Sequence, residues 1–163
     1  MSEFFAWLEG TGLATWTRES TSIWAYPTIL TLHTIGLGIV VGGSAVINLR
    51  LLGFAPRIPI ASLRPLFRVI WWAFALNAVT GVLLFMSDAT TKSHQRVFYV
   101  KLTLIALALW TTTATRKMVE ASPADLYAPP DLTVGPTNAK RVALVSLLLW
   151  TGAIVAGRLM AYL

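Results

Sequence analysis

Four apolar runs, each long enough to cross a bilayer, leave this chain little choice of fold. A spanning helix needs roughly 20 mostly apolar residues, and the stretches at about 23–49, 66–86, 97–115 and 142–163 all qualify. None alternates with the period of two that a membrane β-barrel strand requires. The expectation is therefore an all-α, integral membrane four-helix bundle of up-and-down topology, forming one domain over residues 1–163. Ahead of it, SEFFAWLEGTGLATWTRES gathers Phe4, Phe5, Trp7, Leu8, Leu13 and Trp16. Broken by Gly10 and Gly12, this segment is too short and too charged to span, and it reads as an interfacial helix over residues 2–19 or an adhering tail.

Composition agrees. The chain is 56% hydrophobic and only 12% charged, where a soluble domain carries about 25% charged residues. The absence of cysteine excludes disulfides, iron–sulfur clusters and covalently attached c-type haem. The net charge of +6 does not point to nucleic acid, because the basic residues collect at the ends of apolar runs, where they act as topology signals. The first loop holds Arg50, Arg57, Arg64 and Arg68 with no acid, and the third holds Arg116, Lys117, Lys140 and Arg141. These charges predict cytoplasmic loops one and three and periplasmic termini.

Boundary residues carry further expectations. Ser20, Thr21 or Ser22 can cap the first span, and Pro27 is tolerable only near its start. Arg50, Gly53 and Pro56 end it. Trp71 and Trp72 suit an interfacial belt, whereas Trp110 and Trp150 are expected to pack against neighbouring helices. Gly38 and Gly42 form a GxxxG pair of the kind used for helix packing. The loop over 119–140, with Pro123, Pro129, Pro130 and Pro136, reads as extended.

The polar residues within the spans carry the functional reading. An ionisable group inside a span is a functional hypothesis by default, and His33 lies well inside the first. Lys101, Arg158, Met86 and Met160 fall in the same half of the bundle, and Asn77 and Thr80 lie a little deeper. Glycines at 36, 38, 42 and 43 strip side chains from the His33 helix, leaving room for a helix or a flat cofactor. His33 is thus the candidate ligand of a single b-type haem iron, with Lys101 and Arg158 beside its propionates. Met86, Met160 or His94 from the outer loop is the candidate second ligand. A quinone hydrogen-bonded to His33 is the close alternative. Against both stands a plainer role, in which His33 only bonds Asn77 or Thr80 on the next helix. No nucleophile–base pair and no acid lies within a span, so no catalytic residue is assigned, and a small-solute or ion pathway ranks third.

The segments RESTSIWAYPTILTLHTIGLGIVVGGSAVINLRLLG, FALNAVTGVLLFMSDA and FYVKLTLIALALW, in that order and spacing, resemble a group of small bacterial inner-membrane proteins with four helices. The resemblance implies a bacterial inner membrane and the four-span bundle. The group is distantly similar to membrane cytochrome b and copper-resistance-type bundles, a similarity that maps His33 alone, since LIALALWTTTATRK has none of the histidines those cytochromes carry on later spans. The resulting expectation is a small membrane subunit or anchor of a periplasm-facing redox complex, partnered by lipid and by a cytochrome or dehydrogenase subunit. Association with further copies stays open. The alternative is a cofactor-free structural or assembly protein.

Overall fold

The structure, a computed structural model, describes residues 2–121, 137–160 and 162. All regular structure among them is helical: α1 (Ser2–Glu9), α2 (Gly12–Glu19), α3 (Tyr26–Leu52), α4 (Arg64–Met86), α5 (Ala89–His94), α6 (Arg96–Ala121) and α7 (Thr137–Leu159), with a 3-10 turn at Ile60–Leu63 before α4. Four helices are long and apolar enough to cross a membrane, so the chain is a multi-pass membrane protein built as a four-helix bundle. The predicted interfacial segment is two short helices rather than one. They are divided at Gly10–Thr11, where the Thr11 hydroxyl accepts from the Ala14 N–H and starts α2.

Helix α3 packs on α4 and on α7, and α7 packs on α6. The fourth side, between α4 and α6, touches only lightly. At one end Phe85 stacks on Phe98, centroids 4.9 Å apart. At the other, the Arg64 guanidinium donates to the Glu120 carbonyl at 3.1 Å, a cation placed on the free carbonyls of a helix C-terminus. The core between these ends includes Val40, Ile47, Phe67, Ile70, Ala108, Val119, Ala143 and Trp150. The face carrying α1, α2 and α5, hereafter the capped face, lies opposite the face where α3 turns into α4, the loop face.

Helix ends follow local chemistry. Pro27 sits in the first turn of α3, but no side chain caps that helix; its N-cap is Ala25. Ser20 and Ser22 instead accept from the N–H groups of Ser22 and Trp24 and turn the chain ahead of the helix. At the other end Gly53 takes a left-handed conformation, φ 104°. The Gly53 and Phe54 N–H groups then bond the Arg50 and Leu49 carbonyls, a glycine stop that a side chain would strain. Helix α6 runs past its expected end at 115 to Ala121, with an Arg116–Glu120 pair one turn apart at 2.7 Å on its exposed side. Residues 119–121 and 137–140 are therefore helical, in α6 and α7, and the proline-rich remainder of the expected extended loop, 122–136, lies outside the described residues.

The capped face is held by polar contacts. Both oxygens of Glu9 accept from Thr90, from its N–H at 2.8 Å and its hydroxyl at 2.9 Å, which ties α1 to the first turn of α5. Lys92 pairs with Asp88 at 2.9 Å. Burial alone would raise the Asp88 carboxyl, but hydrogen bonds from Thr91 and Lys92, with the charges of Lys92 and Arg18, outweigh it and hold the group below the usual aspartate value. A carboxyl lowered by folding contributes stability that is complete above its unfolded pKa and is lost as pH falls through the folded one. Asp88→Asn is therefore expected to melt slightly below the parent at pH 7, with the gap closing below about pH 4. Thermal melts between those values measure it, and the gap is small because both partners are partly in water.

Candidate functional site

His33 is half-buried on α3, one turn before Gly36. Its Nδ1 lies 3.0 Å from the Asn77 carbonyl and 3.1 Å from the Thr80 hydroxyl, both on α4. A carbonyl only accepts, so Nδ1 carries the proton. The Thr80 hydroxyl spends its own proton on the Leu76 carbonyl at 2.7 Å, which leaves its lone pairs for Nδ1. The Asn77 amide returns a bond to the His33 carbonyl at 2.7 Å. Two reciprocal bonds thus lock the ring to α4. In the neutral ring Nε2 is then a bare acceptor, and it meets no hydrogen-bond partner among the described residues.

Glycine permits this approach. A Cβ on Gly81 would lie 3.0 Å from His33 Cε1, and one on Gly36 would lie 3.1 Å from the Ala73 carbonyl. Gly36 and Gly81 therefore bring α3 and α4 together and let the ring lie close against α4. Gly38 and Gly42 have no neighbour within 4 Å. The expected GxxxG contact is not made among the described residues, because that pair lies on the outward side of α3.

Lys101 enters from α6. It is half-buried, and a Cβ on Gly157 of α7 would lie 3.6 Å from its Cε. Among the described residues no carboxylate pairs with it. Of the other sequence candidates, Arg158 is exposed in the last turn of α7. It follows Gly157, and consecutive helical residues diverge by about 100°, so it starts from a different face of α7 than the one that meets Lys101. His94 is exposed at the end of the short α5, where that helix holds it on the surface. Met86 ends α4 and Met160 follows α7, both half-buried. Trp150 is 2% exposed and packs in the core, whereas Trp110 is 71% exposed and faces outward, not onto a neighbouring helix.

A second polar layer lies in the loop-face half, where only flanking Arg and Lys groups were expected. Ser44 and Asn48 of α3, Thr112 and Thr115 of α6 and Ser146 of α7 are all buried. Asn48 donates to Ser146 at 3.0 Å, while Thr112 and Thr115 bond back to their own helix. Ser44 Oγ and Asn48 Oδ1 are buried without a partner among the described residues. The TTTAT run was visible in the sequence; its meeting with Ser44, Asn48 and Ser146 was not. Among the described residues no group of three His, Asp or Glu could hold a metal ion.

The site thus belongs to a helical, multi-pass membrane protein with a fixed, half-buried imidazole on α3 and a half-buried lysine on α6. Comparison with protein-family models, curated proteins and solved structures returns no match. The family resemblance accordingly rests on the residues quoted for it.

Proposed function

We propose that the chain is a small inner-membrane subunit or anchor of an electron-transfer complex, and that His33 receives a quinone or a single b-type haem in the half of the bundle nearer the capped face. The excess of Arg and Lys at the loop face supports a periplasmic capped face. The observation that carries the reading is the state of His33: Nδ1–H is fixed on the Asn77 carbonyl and Thr80 hydroxyl, and Nε2 is left as a bare acceptor. A second interaction that sets ring orientation and tautomer is what a ligating or proton-accepting histidine needs.

A quinone fits these residues with least demand. Nε2 accepts from a quinol hydroxyl, and Lys101 donates to a quinone carbonyl. Haem fits in part. Nε2 is free for iron, and Lys101 offers one cation for a propionate. The expected second ligand is less well served, with His94 on the surface. Gly36, expected to make room, is filled by the α4 backbone. The second reading, a structural or assembly protein, is favoured by the bond from Asn77 back to His33, which joins α3 and α4 with or without a ligand.

One substitution separates the two readings. In His33→Asn the side-chain amide replaces the Nδ1–H donor but removes Nε2. The test is an absorption spectrum before and after dithionite, with quinone extraction and a thermal melt, on wild type and His33→Asn in mild detergent. The redox reading expects a bound quinone or a haem band in wild type, lost in the variant while the melting temperature holds. A wild type that carries neither, from cells supplied with both, leaves His33 as a link between helices.

A further inference from the structure

The capped face contains a cavity of about 490 Å³ whose walls include Glu9, Arg18, Asp88 and Lys92. Tyr26, the first residue of α3, and Ser87, which directly follows α4, complete its position. It therefore opens where two spans end, at the level of lipid headgroups. Trp7, Trp16 and Trp24 are exposed on the segments around it, as aromatic side chains are in the interfacial belt of membrane proteins. Two cations and two carboxylates face one space, so its walls are charged but neutral in sum. From this geometry we infer that the cavity binds the zwitterionic headgroup of a phospholipid bearing a primary ammonium, a phosphoethanolamine lipid.

The charges divide the work. Arg18 already donates to the Ser87 carbonyl at 3.5 Å and pairs with Glu19 at 2.9 Å. Its guanidinium carries five N–H donors, so it has donors to spare for a phosphate, which it suits better than a point charge does. Both oxygens of Glu9 are engaged by Thr90, which leaves Asp88 as the carboxylate for the ammonium. Asp88 accepts from Lys92 through Oδ2 and also from Thr91, but an ionised carboxylate has about four lone-pair sites, so it can still accept from a primary ammonium. A quaternary choline has no N–H to give, and a glycerol headgroup brings negative charge without a cation. The inference is independent of any ligand at His33.

The test uses the full chain in detergent, stripped of lipid and titrated with phosphatidylethanolamine, phosphatidylcholine or phosphatidylglycerol of identical acyl chains. Native mass spectrometry reads occupancy, and a thermal melt reads stabilisation. One phosphatidylethanolamine per chain is expected, bound about tenfold more tightly than the other two, the worth of one charge-assisted contact. Asp88→Asn should abolish that preference while retaining phospholipid. Arg18→Gln should weaken all three lipids together. Three lipids bound alike by wild type, or a preference unchanged in Asp88→Asn, would overturn the inference. Soluble phosphoethanolamine binding as tightly as the lipid would overturn the lipid as occupant.

Discussion

Gly36→Leu is expected to force α3 away from α4 and to cost this protein roughly 3 kcal/mol or more, the upper end for overpacked cores. The reason is what the new side chain meets. Even a Cβ at Gly36 would lie 3.1 Å from the Ala73 carbonyl and 3.3 Å from the Asn77 N–H nitrogen. Those are backbone atoms of α4, and they move only if the helix moves. Separation also breaks the His33–Asn77 bonds one turn away, so a ligand held by His33 should be lost with the packing. Gly38→Ala, two residues on, makes the contrast. A Cβ there would meet nothing within 4 Å among the described residues outside its own helix, and replacing glycine by alanine within a helix gains up to about 1 kcal/mol. Thermal melts of both variants in one detergent decide it. Similar melting temperatures for the two would mean that the α3–α4 contact is looser than these distances state.

That contrast also marks where the sequence stops being readable. The four spans could be located because apolar length is a property of composition. Their rotation could not, because a helix that is apolar all round has no stripe to give its phase. Gly36 and Gly38 look alike in the sequence, yet one is a contact and the other faces outward. The same ambiguity hid the Ser44–Asn48–Ser146 layer, whose members are single polar residues on separate apolar helices. His33 was legible because an imidazole in such a run is costly. Its partners Asn77 and Thr80 were legible because they lie at matching depth. Helix ends beyond the membrane were not: Arg116 and Lys117 mark where apolar sequence stops, while backbone hydrogen bonding carries α6 on to Ala121.

Arg50 shows a residue with two roles, of which the sequence revealed one. It counts among the positive charges from which an orientation was expected, yet it is only 5% exposed. Its guanidinium donates to the Ile58 carbonyl at 2.6 Å and to the Pro56 carbonyl at 3.1 Å, folding the α3–α4 connection back under the bundle. Charge-assisted bonds of this kind contribute about 1.5–3 kcal/mol each, less where water can replace them. Arg50→Met is therefore expected to destabilise the protein by about 2–3 kcal/mol and to expose the connection at 53–59 to protease. Arg50→Lys separates the roles. It keeps the charge, so the orientation of the spans should not change, but one ammonium on a flexible stem does not reproduce the planar fork that reaches both carbonyls. Less than half of the lost stability should return. If Arg50→Lys melted like wild type, the charge alone would be holding the connection, and the two carbonyl bonds would be incidental to it.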